Sequence, residues 1–198
     1  MREKRARRVW GRASAIAAIA VFVAVAVAAP STRAAVSGIT VAPWAFRSGT
    51  EAAWVLVGLD YQLFLAKNVP TSEVAAAGAN LNGFKGLSIT TGLTIGFTVE
   101  TLGSDYCSNG APRFNLHLMN NPNTYFLGCA LGVLSGNVVT FTAGNGYGLG
   151  PGCEVSCQLP SSGTIDSLRI VFDEQGTTHL DDIFVGPFIA GGPGHFGG

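Results

Sequence analysis

The sequence is poor in charge, and most of its bases lie at one end. Charged residues make up 12% of the 198 residues. Beyond residue 35 the chain carries five bases against eleven acids, a net charge of −6. Nucleic-acid binding requires Lys and Arg clusters on one face, and attachment to anionic lipid requires polybasic segments. The sequence therefore predicts no nucleic-acid partner and, after removal of the first 35 residues, no membrane partner.

Motifs for several kinds of catalysis are also lacking. There is no Gly-x-Ser-x-Gly nucleophile motif. The Gly-rich string 144–148 has neither the Lys nor the following helix of a phosphate-binding loop. The three His residues show no metal-ligand spacing. A non-catalytic protein is therefore favoured.

The first 35 residues have the three parts of a secretory signal peptide. Residues 1–12 are basic, an apolar run of 17 residues follows over 13–29, and small residues lie at Ala34 and Ala35. Cleavage is predicted after Ala34, with Ala28 as the alternative. An uncleaved anchor is the competing interpretation, because a membrane-spanning helix needs roughly 17–25 residues. Cleavage predicts a secreted, extracellular protein.

The remaining 163 residues are enough for one domain with a sizeable core. Residues 36–189 are predicted to form that domain. Residues 190–198 are predicted to be a flexible tail, because so Gly-rich a segment does not offset its ordering entropy.

All four cysteines follow the export segment: Cys107, Cys129, Cys153 and Cys157. An even number behind a signal peptide predicts two disulfides, because the cell exterior is oxidising. Three pairings are possible. Cys107–Cys129 with Cys153–Cys157 is favoured because each bond closes a short local loop. Zinc is the alternative, but no Cys-x-x-Cys pair or nearby His supports it.

Apolar and polar residues alternate along much of the chain, most clearly over 93–100, 113–118 and 167–173. This period predicts strands with one face in a core and one in water. Further strands are predicted near 39–46, 53–66 (two, separated at Gly58), 86–91, 124–131, 137–142 and 179–186. The Ala-rich segment 72–79 is predicted to be a short helix. The pattern indicates an all-β protein, a single antiparallel, jelly-roll-like β-sandwich of about nine strands.

The most distinctive string is Cys107-Ser-Asn-Gly-Ala-Pro-Arg-Phe. It resembles the Cys-x-x-Gly-Ala-Pro-Arg-Phe segment of uncharacterised secreted bacterial β-sandwich proteins. Three further segments resemble segments of the same group: Tyr125-Phe-Leu-Gly-Cys129, residues 65–72 and residues 170–174. The resemblance covers most of residues 60–186, and it implies fold and export but no chemistry.

A looser resemblance concerns the end of the domain. Leu180-Asp181-Asp182-Ile183 is similar to the last strand of jelly-roll carbohydrate-binding modules. In many of those modules the first Asp ligates a structural Ca²⁺, which implies that role for Asp181. Independently of that resemblance, one short turn is flanked by the acids Asp173, Glu174, Asp181 and Asp182, whose oxygens could hold Ca²⁺. An ordinary solvated turn is the alternative.

The leading candidate site is a polar stripe of Arg113, Asn115 and His117. In a strand these side chains share one face, roughly 6–7 Å apart, and offer groups that bind hydroxyls or carboxylates. The alternative is the wet face of an outer strand. For Arg113 there is a second alternative to ligand binding. Its side chain could brace the loop at Cys107, either by donating to backbone carbonyls or by pairing with Asp105.

Sugar rings stack on exposed aromatic side chains, and Tyr106 and Tyr147 are the best placed because they lie in predicted loops. Trp44 and Tyr125 are further candidates, whereas Trp54 is predicted to be core because its neighbours are apolar.

The favoured function is an extracellular, non-catalytic binding module with glycan as the ligand. The first alternative is a structural or adhesive surface protein that binds other chains through its sheet edges. The second is a small secreted glycoside hydrolase using Glu100 and Asp173, which would have to face each other across a cleft.

Overall fold

The computed structural model describes residues 38–101, 103–108, 110–145 and 158–189. Over these residues the chain forms thirteen strands and one 3₁₀ helix, Cys129–Leu131. The strands are β1 (Thr40–Phe46), β2 (Thr50–Val57), β3 (Asp60–Lys67), β4 (Ala76–Asn82), β5 (Ser88–Ile89), β6 (Thr94–Val99), β7 (Arg113–Leu118), β8 (Thr124–Gly128), β9 (Val133–Ser135), β10 (Val138–Thr142), β11 (Gly163–Phe172), β12 (Gly176–Val185) and β13 (Phe188–Ile189). The predicted signal peptide and the predicted tail lie outside the described residues.

The strands form two antiparallel sheets. Sheet A has the order β1-β4-β11-β7-β8, with β5 paired to β11. Sheet B has the order β2-β3-β12-β6-β10-β9, with β13 paired to β12. The all-β antiparallel sandwich predicted from the sequence is confirmed.

The strand count and one element differ from the prediction. There are thirteen strands over the described residues rather than about nine, because β5, β9 and β13 are only two or three residues long and show no recognisable period. Segment 72–79 is not a helix, and its second half begins β4. Ala has high helix propensity, but β4 pairs with β1 on one side and β11 on the other, so tertiary pairing overrides the local preference.

The core lies between the sheets. It is filled by the inward-facing residues of the strands, which alternate with outward-facing ones along strands such as β7. Phe114 of β7 contacts Phe97 of β6 and Phe141 of β10, with ring centroids 5.3 and 6.1 Å apart. Since β7 belongs to sheet A and the other two strands to sheet B, this aromatic group joins the sheets across the core. The residues between the inward ones point outward, so each sheet presents a second face on which a ligand site can be built.

Candidate ligand-binding face

The polar stripe lies on the outer face of sheet A. Along β7, Phe114, Leu116 and Leu118 are buried, whereas the stripe residues between them are half-buried. Arg113, Asn115 and His117 therefore share one face, as a strand requires. Whether that face binds a ligand depends on what holds each side chain.

Arg113 is held by several partners. Its Nη1 and Nη2 donate to the two carboxylate oxygens of Asp173 at 2.6 and 2.7 Å. Nη1 also donates to the Gly110 carbonyl at 2.7 Å, and Nε donates to Asn115 Oδ1 at 2.9 Å. The guanidinium lies 5.6 Å from the Phe126 ring centroid. Pairing with Asp105 was the wrong expectation, because Asp173 at the end of β11 satisfies the planar guanidinium fork instead.

The turn that carries Asp173 is fixed from a second side. Lys67 is a fully buried lysine, and its Nζ donates to the backbone carbonyls of Thr71, Glu73 and Asp173 at 3.1, 2.7 and 2.8 Å. Three carbonyl acceptors match the three donors of an ammonium group. Arg113 and Lys67 together fix the position of the Asp173 turn, which makes Arg113 part of the scaffold of this face.

The other two stripe residues are less constrained. Asn115 uses its oxygen to accept from Arg113, and its Nδ2 donor has no partner among the described residues. The ring nitrogens of His117 lie 3.4 Å from Thr124 Oγ1. Both side chains remain half-exposed, so their predicted ligand role stays a prediction.

Strand register extends the stripe into a row across sheet A. Asn80 on β4 lies opposite Arg169 on β11, Arg169 lies opposite Asn115, and Asn115 lies opposite Phe126 on β8. Neighbouring strands are about 4.8 Å apart, so the row is about 14 Å long. The sequence did not reveal Asn80 or Arg169 as site residues, because their proximity to Asn115 depends on strand order.

At one end of the row, Trp44 of β1 lies directly opposite Gly78 of β4. A Cβ placed on Gly78 would lie 2.5 Å from Trp44 Cζ2 and 2.8 Å from Cε2. The indole therefore occupies the space above Gly78 where a side chain would stand. Its Nε1 is buried and has no hydrogen-bond partner among the described residues.

The indole also borders an open hollow of about 360 Å³, lined by Trp44, Phe46, Ala76, Asn80 and Arg169. An aromatic wall, an amide and a guanidinium thus meet beside open space. Ring contact is available at the wall, and hydrogen bonds are available from the two polar side chains.

The remaining aromatic candidates have other environments. Tyr106 is half-buried, donates its hydroxyl proton to the Glu174 carboxylate, and sets its ring edge-on to Phe172 at 5.8 Å. The hydrogen bond with Glu174 raises the pKa of Tyr106. Trp54 packs against the core as predicted, and its Nε1 donates to the Val41 carbonyl. Tyr125 is buried.

Tyr147 lies outside the described residues. Its predicted role as a ligand contact stays a prediction.

Sheet B carries a second polar group on its own outer face. The buried carboxylate of Asp105 accepts from the Thr101 and His179 backbone N–H groups at 2.8 and 3.1 Å and lies 2.9 Å from His179 Nδ1. His179 in turn lies against the Phe64 ring, with centroids 5.0 Å apart. Asp105 therefore orients this imidazole.

Acidic side chains surround the same region. Burial, followed by the charges of Asp182 and Asp60, raises the pKa of Asp181 to about 6. Burial, followed by Asp60 and Asp182, also raises the pKa of Glu100. Of the predicted glycosidase pair, Glu100 follows β6 of sheet B, whereas Asp173 follows β11 of sheet A and its carboxylate is paired with Arg113. The hydrolase alternative stays a prediction.

Over the described ranges, no group of three or more His, Cys, Asp or Glu side chains is arranged to hold a metal ion. The role of Asp181 as a calcium ligand stays a prediction from the resemblance.

The Cys107–Cys129 disulfide is confirmed, with Cα atoms 5.3 Å apart. It joins the loop before β7 to the end of β8, and backbone bonds from Cys129 to the Pro112 carbonyl and from Ala130 to the Ser108 carbonyl flank it. Cys153 and Cys157 lie outside the described residues. In the described part of the chain, no helix has the length and hydrophobicity needed to cross a membrane.

No protein-family model, curated protein or solved structure matches this chain.

Proposed function

We propose that this protein is an extracellular, non-catalytic carbohydrate-binding module that uses the outer face of sheet A. The observation that carries the proposal is the Trp44 indole above Gly78, bordering a hollow that also contains Asn80 and Arg169. Sugar rings have apolar C–H faces that pack on aromatic rings and hydroxyl edges that need hydrogen bonds. The hollow offers both kinds of contact in one place.

The energetics of Trp44 support the same proposal. A buried donor without an acceptor costs about 1–3 kcal/mol, and Trp44 Nε1 is in that state among the described residues. A smaller apolar residue on β1 would avoid this cost. Features that break a local rule are expected at functional sites, and ligand contact accounts for a large indole at this position.

The polar groups of the hollow favour binding over catalysis. The Asn80 amide and the Arg169 guanidinium form hydrogen bonds and do not exchange protons at neutral pH. Export is supported by the signal-peptide pattern of the first 35 residues and by the Cys107–Cys129 bond, since disulfides persist in oxidising compartments.

The test is a glycan array probed with the purified full chain, followed by calorimetry on any glycan that binds. Trp44→Ala is expected to weaken binding at least about fivefold, because truncating a central aromatic contact commonly costs more than about 1 kcal/mol. Leu59→Ala is the control, since Leu59 is 99% exposed on the β2–β3 hairpin of sheet B. Absence of binding to every glycan, or equal binding by the Trp44 variant, would refute the proposal.

One observation favours a structural or adhesive role as a second candidate. The β2–β3 hairpin exposes Leu56, Val57 and Leu59, and β2 is an edge strand of sheet B. Exposed apolar edge strands tend to pair with other chains. Light scattering of the full chain would show concentration-dependent oligomers that Leu59→Asn reduces, whereas a monomer at all concentrations would count against this role.

A further inference from the structure

We infer that the glycan bound at sheet A is acidic, and that Arg169 binds a carboxylate of a uronic acid residue. This inference rests on the proposed function and specifies its ligand class. Five Lys and Arg residues follow the signal-peptide pattern, and all five lie in the described part of the chain. What each of their side chains contacts points to this ligand.

Four of these bases have identifiable partners. Arg113 is paired with Asp173, Lys85 with Asp166, Lys67 with three carbonyls, and Arg47 lies over the Phe46 ring. Arg169 is exposed and has no hydrogen bond, ion pair or aromatic partner among the described residues. Its state is unexpected in a chain where acids outnumber bases eleven to five beyond residue 35.

The neighbours of Arg169 leave its charge uncompensated. The residues opposite it are Asn80 on one side and Asn115 on the other, and both are neutral amides. The Arg113 guanidinium on the same face is paired with Asp173. Among the residues that the structure describes, the centre of this face is therefore an unpaired positive charge between two hydrogen-bonding amides.

A guanidinium in this setting selects a particular chemistry. Its planar fork matches the two oxygens of a carboxylate, and such charge-assisted pairs are roughly twice as strong as neutral hydrogen bonds. The amides are suited to sugar hydroxyls, and Trp44 beside them is suited to a ring face. A carboxylate, hydroxyls and a ring face occur together in a uronic acid residue.

The experiment compares charged and neutral forms of the same polymer. Oligogalacturonate, oligomannuronate and hyaluronate are titrated into the full chain by calorimetry, alongside methyl-esterified oligogalacturonate, sulfated heparin and neutral xylan. At least one polyuronate is expected to bind ten or more times tighter than the neutral polymers. If oligogalacturonate is that ligand, esterification is expected to remove the difference.

Variants then assign the contact to Arg169. Arg169→Gln is expected to weaken polyuronate binding about 10- to 100-fold and to leave neutral polymers unaffected. Arg169→Lys keeps the charge but lacks the fork, and it is expected to restore only part of the affinity. Lys85→Gln is the control, because it removes the same charge from a surface pair.

The outcomes separate this inference from the proposed function. Equal binding of neutral and acidic polymers, with no effect of Arg169→Gln but loss with Trp44→Ala, would overturn the uronate assignment and leave the glycan module standing. Binding of heparin without any polyuronate would also overturn it. Absence of binding to every polymer would refute both.

Discussion

Replacing Arg113 with Ala tests whether this stripe residue is scaffold. The Arg113 side chain is 16% exposed and that of Asp173 is 36% exposed, so the pair is partly shielded from water. The substitution removes two bonds to Asp173, one to Gly110 and one to Asn115. The Asp173 turn keeps its contact with Lys67, so local loosening is expected rather than global unfolding.

The magnitude follows from the burial of the pair. Breaking a fully buried ion pair costs about 3–5 kcal/mol, whereas an exposed pair contributes about 0–1 kcal/mol. Asp173 lies between these limits because its carboxylate can regain some water. We expect Arg113→Ala to lower the free energy of unfolding by about 2 kcal/mol. For a domain of this size that corresponds to a fall in Tm of about 4–8 °C.

The assay is urea unfolding of the full chain, combined with a double-mutant cycle. Arg113→Ala, Asp173→Ala and the double variant should give a coupling energy of about 1–2 kcal/mol. Lys85→Ala is the matched control, because its ion pair with Asp166 has a similar length, 2.8 Å, but the two side chains are 70% and 45% exposed. Its expected cost is below about 0.5 kcal/mol. If Arg113→Ala costs no more than Lys85→Ala, the scaffold role is refuted.

Two further predictions concern the outer faces. The pKa of Asp181 is raised to about 6, so the fold favours the protonated acid. The contribution of Asp181 to the free energy of unfolding is therefore fully present below about pH 4 and is lost as the pH rises through about 6. Asp181→Asn should remove this loss and stabilise the protein by about 1 kcal/mol at pH 7, after discounting for solvent. Equal pH profiles in thermal melts would contradict this. Gly78→Ala should cost about 1–3 kcal/mol, because its Cβ would lie 2.3 Å from the Ile170 carbonyl oxygen and would displace Trp44. An unchanged Tm would show that the close approach is absent.

Local patterns predicted several features correctly. Alternation over 113–118 depends only on the period of a strand, so the buried and outward residues of β7 could be assigned in advance. The short separation of Cys107 and Cys129 likewise predicted their pairing. β4 was missed because its inward residues, Ala77 and Ala79, are too small to give a clear hydrophobic period.

The partners of Arg113 and Tyr106 could not be predicted from local sequence patterns. The sequence offered a loop-bracing role for Arg113, but its acidic partner is 60 positions away, directly after another strand. Tyr106 lies in a loop, which suggested exposure, yet Glu174, 68 positions away, binds its hydroxyl. Neither partner can be identified from spacing, because side-chain pairs across sheets depend on strand order.

The amino-acid sequence by itself determined the all-β class, the outward position of the stripe and the Cys107–Cys129 bond, because each depends on local period or short loop closure. Only the tertiary structure decided that Trp44 lies above Gly78 and that Asn80, Arg169 and Asn115 form one row. β4 and β11 bring these residues together from distant parts of the chain. The register of antiparallel strands sets which side chains become neighbours, and that register follows from packing the two sheets around one core.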